Sequence, residues 1–270
     1  MESQGAAVER VFSGVDKRRI LILGGTAEAR DLAGALAGRA DLAVTLSLAG
    51  RTLDPAPQPA PVRTGGFGGV PGLATYLTEE AVDLLIDATH PFARKISANA
   101  RAASETTGVP LLRLERMGWA ETEGDRWTCV GSISEAVAAL GKTPCRVFLA
   151  IGRQEAKVFD AAPQHHYLVR SVDPVDPPLD APDVDYLLAR GPFAVEAEVA
   201  LLQEHRIDVI VSKNSGGEAT QGKIVAARIL GLPVVLVERT EAADVHRAET
   251  VEAAVRLADH LLTSFRKRGV

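Results

Sequence analysis

The chain has 270 residues, 46% hydrophobic and 24% charged, with a net charge of −5. These are globular values, and the length suits one large or two ordinary α/β domains. The charge excludes binding of nucleic acid by overall electrostatics, and aromatics at 4% are too few for a base-stacking surface. No apolar run reaches membrane-spanning length, so no membrane partner is expected. Cys129 and Cys145 form neither a CxxC pair nor a disulfide framework and are expected to be buried free thiols.

Residues 1–17 contain no apolar core of signal-peptide length and read as a loose, disordered extension, which makes the cytoplasm the expected compartment. Ile20–Leu23 is a short, wholly apolar run, suited to a parallel strand buried on both faces. It runs into Gly24-Gly25-Thr26 and then into a helix whose apolar face is Ala29, Leu32, Ala33 and Leu36. Strand, glycine turn and helix N-terminus together make a cradle for phosphate, although the G-x-G-x-x-G fingerprint is absent and a tight turn without ligand would look the same.

Leu42–Ala49 is a second strand, ending near Ser47, Arg51 and Thr52. A guanidinium with hydroxyl neighbours at this strand end suits the extra phosphate of NADPH, as an acid there would suit NADH. A surface arginine in a loop is the competing account. The proline-rich 55–61 stretch is a linker. The glycines of Val62–Gly69 precede a helix over Pro71–Ala81. Val82–His90 is the next strand. It places Asp87, Thr89 and His90 at a carboxyl end, where open α/β sheets bind ligands, with Asp87 expected to orient His90 or cap a helix. A helix over Phe92–Gly108 carries Arg94 and Lys95 in its first turn, and Leu111–Leu114 is a fifth strand.

The domain boundary is expected near Trp119–Gly124, giving a cofactor domain over 18–120 and a substrate domain over 121–270. The second half repeats the strand–helix rhythm, with strands at Trp127–Val130, Arg146–Ile151, His166–Val172, Tyr186–Leu188, Asp208–Ser212 and Pro233–Val237. Gly152-Arg153, Arg190-Gly191 and Lys213 with Gly216-Gly217 pair glycine with a cation at three loops, a basic rim for a polyanion. The expected fold is therefore two α/β domains with mainly parallel sheets and a ligand cleft between them. No Tyr and Lys stand four apart, and G-x-S-x-G, the P-loop and metal-ligand spacing are absent, so no metal is expected.

The segments GGTAEAR, SLAGRT, DATHPFA, IGR, RGPF and KNSGG followed by GKIVAA occur in order from about residue 18 to 240. In this combination the chain resembles the precorrin-6A reductase family of cobalamin biosynthesis. The resemblance implies two Rossmann-like domains with the active site between them, and an oxidoreductase that uses NADPH to reduce one double bond of a carboxylate-rich tetrapyrrole macrocycle, giving precorrin-6B. It implies a cofactor lined by Gly24, Gly25, Thr26, Glu28, Ser47, Arg51, Thr52 and Phe92, with Glu28 on ribose hydroxyls or the carboxamide and His90 beside the nicotinamide. His90 is expected to position rather than protonate. Substrate would lie against Arg94, Lys95, Arg153, Arg190, Lys213, Ser215, Gly216 and Lys223, and contact with neighbouring pathway enzymes would be transient. Other readings are a cobalt-precorrin-6A reductase using NADH, a nucleotide-sugar glycosyltransferase and an NADPH-binding sensor without catalysis.

Overall fold

A computed structural model describes residues 17–50, 56–239 and 246–266. Its first half builds β1 (Arg18–Leu23), α1 (Ala27–Ala37), β2 (Leu42–Leu48), β3 (Val62–Thr64), α2 (Val70–Glu79), β4 (Leu84–Asp87), α3 (Arg94–Thr107) and β5 (Leu111–Leu114). The second half builds β6 (Trp127–Val130), α4 (Ile133–Ala139), β7 (Arg146–Ala150), β8 (His166–Ser171), β9 (Val184–Leu188), α5 (Val195–Glu204), β10 (Val209–Lys213), α6 (Gly222–Leu230), β11 (Val234–Val237), β12 (His246–Ala248) and α7 (Val251–Arg266). No helix among the described residues is long and apolar enough to cross a membrane.

Two six-stranded sheets form, ordered β12-β5-β4-β1-β2-β3 and β6-β11-β10-β7-β8-β9, and every strand pair is parallel. The two expected Rossmann-like units are present. In each, the order reverses in the middle of the sheet, between β1 and β4 and between β7 and β10. These are the switch points at which parallel sheets open a crevice beyond their carboxyl ends.

The apolar run of β1 fills both faces of its sheet. Ile20 and Ile22 join Leu32 and Leu36 of α1 and Ala254, Ala258 and Leu261 of α7. Leu21 and Leu23 join Leu73 and Leu77 of α2 and Ala100 and Ala103 of α3. Alternate side chains of a strand point to opposite faces, which is why four consecutive apolar residues demand helices on both sides. The second sheet follows the same rule: Val147 and Leu149 face α4, whereas Phe148 and Ile210 face α5 and α6. Each fully buried side chain of this size contributes about 1.5–3 kcal/mol.

The expected 121–270 domain is not one unit. β12 pairs with β5 of the first sheet, and α7 packs against the first core. Arg39 at the end of α1 reinforces this by donating to Asp259 of α7 at 2.5 Å. The edge strand nearest β5 therefore comes from the far end of the chain, while β6, directly after the first unit, completes the second sheet. The chain crosses between the sheets twice. The cysteines also differ from expectation, since Cys129 is exposed and Cys145 half-buried.

Ala258 is fully buried in the first core. Ala258→Asp should therefore destabilise that core by about 3–5 kcal/mol, the cost of an unpaired buried charge, and lower the thermal midpoint. A midpoint unchanged from the parent chain would place α7 elsewhere.

Candidate functional site

The turn after β1 is built as its sequence requires. Thr26 caps α1, accepting from the Ala29 N–H at 3.0 Å while its own hydroxyl donates to the Ala88 carbonyl at 2.9 Å. The cap thus ties the β1 turn to the β4 turn. Gly24 lies against β2, where a Cβ would come within 2.7 Å of Leu46 Cδ1. Gly25 has φ +115 and nothing within 4 Å of the position its Cβ would take. A positive φ, open space and the unbonded N–H groups of a helix first turn fit a dinucleotide diphosphate.

Glu28, in the first turn of α1 beside that cradle, accepts from Arg116 Nη1 at 2.5 Å. Arg116 lies in the first crossing between the sheets, and its Nε–H donates to the Ser215 carbonyl of the second unit at 2.8 Å. Ser47 is buried at the end of β2, beside an arginine that the sequence reading passed over. Arg63, on β3, approaches the Ser47 hydroxyl at 3.5 Å and donates to the Gly65 and Gly66 carbonyls at 2.6 and 2.9 Å. Its guanidinium stacks over Phe67, 3.8 Å from the ring centroid. The register of β2 with β3, which places Ser47 opposite Arg63, is what a reading of β2 alone could not supply. Arg51 and Thr52 lie outside the described residues.

At the end of β4, Asp87 does not orient His90. It accepts from the Thr89 hydroxyl at 2.6 Å and from the Thr89 N–H at 3.1 Å, and it is ion-paired with the buried Arg113. Arg113 also grips Glu115, with Nε 3.0 Å from its carboxylate. His90 instead accepts at Nδ1 from the Phe92 N–H at 3.3 Å, which leaves Nε2–H as the donor of the neutral ring. Burial, and then the positive charges of Arg116, Lys213, Arg239 and Lys223, push His90 down to about 3. Phe92 reaches across to pack against the second core, with Lys213 Nζ 5.4 Å from its ring.

The carboxyl ends of both sheets therefore converge on one basic region. Lys213 is ion-paired with Glu155 at 2.6 Å. Asn214 is buried, accepting from the Trp119 N–H at 2.7 Å and donating to Glu238 at 3.2 Å. Arg239, in the second crossing, donates to the Asn214 carbonyl at 2.7 Å and the Arg116 carbonyl at 2.5 Å. Its Nη2 is buried without a partner among the described residues. Gly216 has φ +63, and a Cβ there would meet the Met117 carbonyl at 1.9 Å. Lys223, in the first turn of α6, is 3% exposed. Its amine donates to the Thr220 carbonyl at 2.7 Å and lies 4.7 Å from the Trp119 ring. Burial, and then the charge of Arg170, lower it to about 7 against the opposing pull of Glu198.

Of the residues expected to hold substrate, Lys213, Ser215, Gly216 and Lys223 gather in this region. Arg94 and Lys95 are exposed on α3, Arg190 is exposed before Gly191, and Arg153 is half-buried after β7. Arg116, Trp119 and Arg239 were missed because they sit in crossings whose lack of apolar periodicity reads as plain linker.

His90 should remain in its Nε2–H form without titrating above pH 4, as read from its ring nitrogens by NMR. Its folded value lies below the ordinary 6.5, so the unfolded chain binds the extra proton and His90 lowers stability as pH falls from 6.5 towards 3. His90→Phe should flatten that part of the stability profile. A wild-type His90 that titrates near 6.5 would contradict the burial argument.

The family model described as "Precorrin-6x reductase CbiJ/CobK" matches residues 19–259. A precorrin-6A reductase of Sinorhizobium sp is 56% identical over 250 residues, covering 93% of this chain and 96% of that protein. One from Rhodobacter capsulatus is 52% identical over 253 residues, covering 93% and 99%. A solved structure described as CobK precorrin-6A reductase superposes with a TM-score of 0.85 at 51% identity, covering 90% of this chain and 97% of that one.

Proposed function

Because the chain belongs to the precorrin-6x reductase family, we propose that it reduces one double bond of precorrin-6A with NADPH, giving precorrin-6B in cobalamin biosynthesis, in the cytoplasm. The observation that carries this reading is the meeting of two chemistries at the crossings. A phosphate cradle lies on the first sheet, and a cluster of cations lies on the second, within electrostatic reach of His90.

When bound, NADPH supplies a hydride. Gly24, Gly25 and the first turn of α1 hold its diphosphate. Ser47 and Arg63, with Arg51 and Thr52 nearby in sequence, take the ribose phosphate. Arg63 suits this because its contacts with Gly65, Gly66 and Ser47 all use Nη1 and Nη2, and the Nε–H edge has no partner among the described residues. A guanidinium held flat on Phe67 is pre-set for a phosphate. Neutral His90 donates Nε2–H to the carboxamide or the macrocycle and fixes their relative position. A ring pushed so low in pKa is a poor proton source at neutral pH. Lys213, Arg239 and the Ser215–Gly216 backbone meet the carboxylates of the macrocycle.

NADPH should be consumed anaerobically together with precorrin-6A, with matched changes in the nicotinamide and macrocycle spectra. Arg63→Ala should weaken NADP+ binding ~10- to 100-fold, the value of a charged hydrogen bond or two, and leave NADH affinity nearly unchanged. Equal loss for both cofactors would reject Arg63 as the phosphate reader. A chain that binds NADPH but never oxidises it would favour the sensor reading.

A further inference from the structure

His90 is neutral, so reduction at this site needs another source for the proton that accompanies the hydride. Five basic groups meet here: His90, Lys213, Lys223, Arg116 and Arg239. The arginines keep their protons at any physiological pH. Lys213 is ion-paired with Glu155. Lys223 differs from all of them. It is buried and has one hydrogen-bond acceptor among the described residues, the Thr220 carbonyl, so two of its three N–H groups are unspent. It lies over Trp119, whose own indole N–H is buried without a partner among the described residues. Two adjacent groups with unspent donors suit an acceptor brought by a ligand.

We propose that Lys223 is the proton donor of the reduction, with Trp119 as the platform that holds its amine. The proposal rests on the reductase reading above. The hydride pair adds to one end of the conjugated double bond, and the electron pair of that bond takes a proton from Lys223 Nζ at the other end. The nicotinamide is oxidised, the macrocycle gains two electrons, and the neutral amine recovers its proton from water. The groups that face Lys223 set its readiness. Arg116 from the first crossing and Arg170 from β8 repel its charge, and Glu198 from α5 opposes them. Arg170 is itself held by Glu198 at 2.5 and 2.9 Å, so that carboxylate is already spent on the guanidinium. A lysine tuned towards neutrality is matched to general-acid work at physiological pH.

The test compares wild type, Lys223→Met and Lys223→Arg in kcat against pH, NADP+ affinity and thermal midpoint. Wild-type kcat should fall as pH rises through about 7, the value at which Lys223 loses its proton. Lys223→Met should lose ~100-fold or more in kcat, the ordinary worth of a general acid, with that limb absent and NADP+ affinity unchanged. Lys223→Arg keeps the charge but holds its proton, and should be equally slow. The thermal midpoint gives a reading independent of turnover. The folded lysine lies below its unfolded value, so wild-type stability should rise between about pH 7 and 10 relative to Lys223→Met, and the methionine protein should be the more stable at pH 7. Full activity in Lys223→Arg would reduce the residue to a carboxylate anchor and overturn the proposal. A methionine protein with wild-type kcat and pH profile would do the same. A wild type that oxidises no cofactor fails the reductase reading and the proposal with it, while the midpoint titration still reports whether Lys223 is strained.

Discussion

The structure depends on the two crossings between its sheets and on what pins them. Arg116 and Arg239 each hold backbone carbonyls across the boundary: Arg116 that of Ser215, Arg239 those of Asn214 and Arg116. Asn214 reaches back to both the N–H and the carbonyl of Trp119. Exchange of the sixth strands makes this possible, because neither sheet is complete without a segment that has passed through the boundary. The site therefore sits on the stretch of chain that joins the two units, and the Glu28–Arg116 pair ties that stretch to the first turn of the phosphate cradle.

Placing so many cations together has a cost that the fold distributes unevenly. Lys213 and Arg116 receive carboxylates, Glu155 and Glu28. Arg113 receives two, Asp87 and Glu115. Among the described residues Lys223 receives only a carbonyl and an aromatic face. A buried amine left in this condition destabilises the folded chain at neutral pH. His90, in the same field, answers by staying neutral, which suits it to hold a partner in place.

Much of the fold was legible because short apolar runs ending in glycine are a strong local signal. Leu111–Leu114 is the strand the sequence predicts, and the apolar face expected for α1 is the buried one. What failed was long-range. His246–Ala248 is three residues with no pattern of its own, and only its pairing with β5 returns the last helix to the first core. At the site, residue types were easier to read than partners. Asp87 and His90 are three apart in sequence, yet Asp87 belongs to Arg113, from the neighbouring strand. Glu28 belongs to Arg116, and Ser47 has Arg63 beside it. Each of these depends on strand register or on a crossing, which no spacing along the chain encodes.

On the proposed function, the crossings bring a hydride donor on the first unit to a macrocycle on the second. The most direct measurement uses NADPH deuterated at the transferable C4 position in anaerobic single turnover with precorrin-6A, followed by mass analysis of the macrocycle. One deuterium should be carried into the product, with NADPH consumed in equal amount. A product that carries no deuterium, or NADPH that stays reduced in the presence of the macrocycle, would contradict it.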